Sequence, residues 1–82
     1  MQRYEYMVLI DATAISECNI DSVIEVVEEA TGEWVVRSEY RPCPDRPYWQ
    51  IYCSATKEQM SMIESTYETM FGDNYLGVIK VW

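Results

Sequence analysis

The chain has 82 residues, with fourteen acidic and six basic side chains, no histidine, a net charge of −8, and 49% hydrophobic and 13% aromatic content. This length implies one domain of modest stability, since a chain so short buries only roughly 60–65% of its unfolded surface. The charge argues against phosphate-backbone recognition, which relies on clustered Lys and Arg, and the missing histidine removes the usual acid–base group near neutral pH.

No run approaches the ~18 apolar residues of a membrane span. Glu5 and Asp11 bracket the first apolar stretch, unlike the core of a secretory signal. The expectation is a soluble, cytoplasmic protein without membrane contact. Cys18, Cys43 and Cys53 are odd in number and form no C-x-x-C pair, so they read as unpaired structural thiols, with no metal and no cofactor.

Tyr4–Ile10 predicts a strand: Tyr4, Tyr6, Val8 and Ile10 alternate with Glu5, Met7 and Leu9, and β-favouring residues dominate. Apolar residues on both faces suit a central position. After a connection over residues 12–18, loosely one helical turn, Asn19 reads as an N-cap. Ile20, Val23, Ile24 and Val27 follow at helical spacing, and Gly32 ends the helix in the left-handed conformation. Its outer face collects Asp21, Glu25, Glu28 and Glu29. Trp34–Tyr40 predicts a second strand, at an edge, with Trp34, Val36, Ser38 and Tyr40 on one face. Val35, Arg37 and Glu39 make its other face. Pro42, Pro44 and Pro47 then stiffen the connection that follows.

Tyr48–Ser54 predicts the third strand, with Trp49, Ile51 and Cys53 on the more apolar face and Tyr48, Gln50 and Tyr52 on the other. Thr56 with Gln59 is a capping box. It opens a helix to about Phe71, with Met60, Ile63, Tyr67, Met70 and Phe71 in one stripe and Glu58, Glu64 and Glu68 outside. Gly72 stops it. Tyr75–Trp82 predicts a last strand, with Gly77, Ile79 and Val81 facing the helices and Leu76, Val78, Lys80 and Trp82 facing away.

The order βαββαβ, read with right-handed crossovers, gives a four-stranded antiparallel sheet of order 4-1-3-2 with both helices on one face. At the level of element order this resembles the ferredoxin-like split βαβ plan, a superfold that says little about activity. The open face is expected to carry Met7, Leu9, Tyr48, Tyr52, Val78 and Trp82, too apolar a patch to lack a purpose.

Three uses of that face compete: a homodimer by sheet stacking, a platform for another protein, and base stacking on Tyr48 and Tyr52. The net charge and the missing Lys/Arg-Gly-Phe/Tyr motif tell against direct nucleic-acid contact. The carboxylates Asp21, Glu25, Glu28, Glu29, Glu64 and Glu68 form either an ordinary solvated face or a surface that enters a basic groove on a partner. An ion site at Asp11, Glu17 and Asp21 lacks the glycine of a calcium loop. No nucleophile, P-loop or dinucleotide motif is present.

The function expected is therefore that of a small acidic non-enzymatic binder of another protein. In its most concrete form this is a nucleic-acid-mimicking inhibitor of a host defence machine, such as the anti-CRISPR proteins that phages and mobile elements encode. A homodimeric ligand-sensing module is the alternative. A small dimeric barrel enzyme, using Tyr52 with Asp11 or Glu39, comes third.

Overall fold

The computed structural model describes residues 2–16, 19–35 and 37–81. The elements are β1 (Tyr4–Asp11), α1 (Ile20–Thr31), β2 (Arg37–Arg41), β3 (Tyr48–Ala55), α2 (Lys57–Phe71) and β4 (Tyr75–Lys80). Short 3-10 turns, Ala12–Ala14 and Gly72–Asn74, follow β1 and α2. The strands form one antiparallel sheet ordered β2-β3-β1-β4, which is 4-1-3-2 counted from the opposite edge. The fold is therefore α+β: an open four-stranded sheet with two helices. The expectations for Glu17, Cys18, Val36 and Trp82 lie outside the described residues.

The β1–β3 pairing sets Tyr6 opposite Cys53, Val8 opposite Ile51 and Ile10 opposite Trp49. Side chains alternate along a strand, so this register puts all of these on one face. Both helices cover that face. Val23 and Val27 of α1 and Met60, Ile63 and Tyr67 of α2 join Tyr6, Val8, Ile10, Ile51 and Ala55 in a single buried cluster. Each Val, Ile or Met among them contributes about 1.5–3 kcal/mol by leaving water. The Tyr67 hydroxyl donates to the Val23 carbonyl at 2.5 Å, so its buried oxygen is satisfied and the two helices are tied together. Burial pushes its pKa upward and keeps it a neutral donor.

Local signals account for most element ends. Thr56 accepts from the Gln59 N–H at 3.2 Å, and the Gln59 side chain accepts from the Thr56 N–H at 2.9 Å, completing the capping box. Gly32 takes φ 72° and closes α1 on the Glu28 carbonyl. Asn19 occupies the N-cap position but makes no side-chain cap bond. Within the α2 stripe Met70 is 51% exposed, so the buried series is Met60, Ile63 and Tyr67, with Phe71 partly buried.

Two expectations need correction. The first concerns β4. The β1–β4 register pairs Met7 with Ile79, Val8 with Val78 and Leu9 with Gly77, then shifts so that Ile10 pairs with Tyr75. Leu76 is the extra residue of a β-bulge, and Gly77 beside it adopts φ 120°, a conformation glycine accepts readily. The bulge puts Tyr75 and Val78 on the same, helix-covered face although they are three apart. Val78 is thus packed against the core rather than on the open face, and Ile79 and Gly77 take the open side. Val81 is exposed, outside the strand.

The second correction concerns β2, which begins only at Arg37. The Val35 N–H donates to the Glu28 carboxylate at 2.9 Å, so the chain after α1 is tied to the helix end instead of to β3. Trp34 is left 85% exposed and belongs to no sheet face.

Because a side chain at φ 120° is strained whatever space surrounds it, Gly77→Ala is expected to lower stability by about 1–3 kcal/mol. Urea unfolding measures this; an unchanged midpoint would mean that the bulge does not depend on glycine.

Candidate functional site

The end of α1 is built from an electrostatic conflict. A helix C-terminus carries partial negative charge and favours cations. Here Glu28 and Glu29 occupy the last turns, with no basic residue among them, and Glu33 follows. Compensation comes from far away in sequence. Arg3 pairs with Glu33 at 3.0 Å, donates to the Ser54 carbonyl at 3.1 Å and reaches the Thr31 carbonyl at 3.5 Å. Thr31 accepts from the Glu33 N–H and donates to the Val27 carbonyl. These bonds hold the turn that presents Trp34.

The exposed indole stands between two hollows. One, of about 310 Å³, is lined by Glu25, Glu28, Glu29, Gly32, Glu33 and Trp34. The other, of about 330 Å³, is lined by Glu5, Glu33, Arg37 and Tyr52 among others, and again by Trp34. An aromatic face flanked by carboxylates is the chemistry that receives an Arg or Lys side chain, by cation–π contact and ion pairing together.

The expected acidic residues do not form one patch. Glu25, Glu28 and Glu29 meet at Trp34, whereas Asp21 is exposed in the first turn of α1 and lines neither hollow. Glu64 on α2 is half-buried and accepts the Tyr75 hydroxyl at 2.8 Å; burial and this carboxylate push the tyrosine pKa upward. Glu68, also close enough to act on Tyr75, is exposed. Glu64 therefore supports β4, and Glu28 anchors Val35, while Glu25, Glu29 and Glu33 remain outward-facing.

The open sheet face carries Met7 and Leu9 of β1 and Tyr48 and Tyr52 of β3, as expected, with Ile79 of β4 added. Strand β2 contributes Arg37, Glu39 and Arg41, paired across from Tyr52, Gln50 and Tyr48. Glu39 binds both arginines, at 2.5 and 2.7 Å; the Arg37 partnership lowers its pKa and raises that of Arg37. The Arg37 guanidinium also lies 4.6 Å from the centre of the Tyr52 ring, and Arg41 donates to the Gln50 side chain at 2.9 Å. Tyr52 and Glu39 thus share a face, but the groups near them are guanidiniums already occupied by partners.

β-propensity draws Trp34 into the expected second strand and the prolines draw Arg41 into the loop, so neither the exposed indole nor the row Arg37, Glu39, Arg41 is visible from propensity alone. The available signal was the density of carboxylates around a tryptophan directly after a helix-ending glycine.

At the end of the sheet Asp11 is buried, accepts from Thr13 and pairs with Arg46 at 2.6 Å. The Arg46 and Thr13 hydrogen bonds hold its pKa down at about 2. Burial pushes the Cys53 thiol up to about 11, so it is inert at neutral pH. Among the described residues no cluster of three or more His, Cys, Asp or Glu is placed to hold a metal, and no helix is long and apolar enough to cross a membrane. No protein-family model matches the chain, and a search of curated proteins finds no significant relative.

Two measurements test these electrostatics. Replacing the exposed Glu29 by lysine places a cation at the helix C-terminus, so Glu29→Lys is expected to raise stability by about 0.3–1 kcal/mol in thermal unfolding at low salt. A loss of stability would contradict the conflict described. Because Asp11 titrates in the folded chain below its ordinary 3.8, its ion pair stabilises fully above that pH and is lost as pH falls through about 2. Asp11→Asn is expected to cost about 1 kcal/mol at pH 7. The gap from the parent chain should shrink steadily in urea titrations between pH 4 and pH 2.

Proposed function

We propose that the chain is a non-enzymatic protein that binds a basic surface of another protein through the end of α1, with Trp34 as the anchor. The observation that carries this reading is an indole 85% exposed beside a hollow lined by Glu25, Glu28, Glu29 and Glu33. Tryptophan is among the residues most enriched at interface hot spots, and this one stands beside carboxylates that suit a cationic partner. The carboxylates at the wrong end of the helix dipole weaken the free chain, and a cationic partner relieves that cost.

The partner class that fits is a protein with a groove built for nucleic acid, since such grooves present Arg and Lys in rows. On this reading the chain competes with the nucleic acid, as an inhibitor of a host nucleic-acid-handling machine would. The ferredoxin-like split βαβ plan is the fold assignment we favour; the strand order and the shared helix-covered face support it.

Affinity capture with the chain as bait, run with and without added duplex DNA or RNA, tests the reading. Trp34→Ala and the pair Glu25→Lys with Glu29→Lys are each expected to weaken capture of the specific partner at least 10-fold with folding intact. Added nucleic acid should compete. Capture that survives both sets of substitutions would sink the proposal.

A further inference from the structure

The open sheet face differs electrostatically from the acidic faces of the helices. Arg37 and Arg41 are paired through Glu39, Arg46 covers Asp11 at the sheet end, and Glu5 is the remaining carboxylate in that alternation. Three arginines thus meet three carboxylates, so among the described residues the face is neutral and the negative excess of a −8 chain lies on the helices and loops. We propose that this face pairs with the same face of a second copy of the chain.

Charge distribution selects that occupant. Two copies meeting through helices would press carboxylates together. Two sheets stacked ~10 Å apart would instead hold the acidic helix layers roughly 30 Å from each other, well beyond the ~8–10 Å screening length of physiological salt.

The residue pattern is self-complementary as an isologous contact requires. Across the sheet, the paired residues Arg37, Tyr52, Met7 and Ile79 make one row, and Glu39, Gln50, Leu9 and Gly77 make the next. A two-fold axis parallel to the strands lays β3 over the second copy's β1. Tyr52 then meets Met7 in both directions, a favourable sulfur–aromatic contact, and the charged β2 row falls at the rim against Ile79. Four strands of about six residues give a planar face of only roughly 400 Å² per copy. The total of roughly 800 Å² lies below the ~1,200–2,000 Å² of stable complexes, so the dimer is weak, reversible and populated only at high concentration.

Sedimentation equilibrium of the purified full chain from low micromolar to several hundred micromolar tests this. A monomer–dimer equilibrium is expected that tightens as salt is raised from about 10 mM, where the screening length of ~30 Å still lets the distant negative layers repel, and that changes little above about 150 mM. Ile79→Lys, at a position already 49% exposed, is expected to weaken dimerisation at least 10-fold, while Met62→Lys on α2, at 64% exposure, leaves it unchanged. A monomeric mass at every concentration would overturn the proposal, as would a dimer indifferent to Ile79→Lys. A monomer that binds a fluorescent single-stranded oligonucleotide, and loses it on Tyr52→Ala, would give the face to base stacking instead. None of these readouts needs the basic partner of Trp34, so the two proposals fail separately.

Discussion

The register of β1 against β3 is the constraint on which the rest of the molecule depends. With Val8 opposite Ile51 and Ile10 opposite Trp49, the apolar members of both central strands fall on one face. That face is the one surface where two helices can bury their stripes. A slip of one residue would turn Tyr6, Val8 and Ile10 outward and bring Glu5 and Asp11 under the helices, where an unpaired carboxylate is costly. The Tyr67–Val23 hydrogen bond and the capping box of α2 refine this arrangement but do not create it.

Given that core, charge becomes the variable that differs from surface to surface. The helices and loops carry an excess of carboxylates. The sheet face balances its charges internally through Glu39, Arg37 and Arg41. One cation, Arg3, is spent at the point of greatest conflict, where the end of α1 meets Glu33 and the end of β3. Its bonds hold Trp34 in water beside outward-facing carboxylates. The two proposed interaction surfaces follow from this division: an acidic, tryptophan-bearing end for a basic partner and a charge-balanced face with Met7, Leu9 and Tyr52 at its centre for a copy of itself.

Much of this was legible in the residues. The element order, both helices and their stops at Gly32 and Gly72, and the capping box at Thr56 each rest on local chemistry within a few residues, which a sequence states directly. The inward set Tyr6, Val8, Ile10, Trp49 and Ile51 follows from simple alternation. The faces of β4 do not, because a bulge at Leu76–Gly77 breaks the alternation, and a single glycine in a strand does not announce which side the shift favours. The start of β2 was equally hidden. Trp34 and Val35 have strand-forming side chains, and only the distant Glu28 carboxylate decides that this backbone pairs with a helix end.

The sequence by itself therefore determined the secondary elements, the acidity, and which central-strand residues are apolar enough to build a core. Those depend on neighbours along the chain. Tertiary structure alone decided where each charge and aromatic stands relative to the others. It separated Glu64, bound to Tyr75, from Glu25 and Glu29 beside Trp34, moved Val78 inside and Ile79 out, and joined Arg37 and Arg41 through Glu39 along β2 with Arg37 over Tyr52. Such placements arise from hydrogen bonds and pairings between segments many residues apart, and their geometry exists only once the sheet has closed around its core.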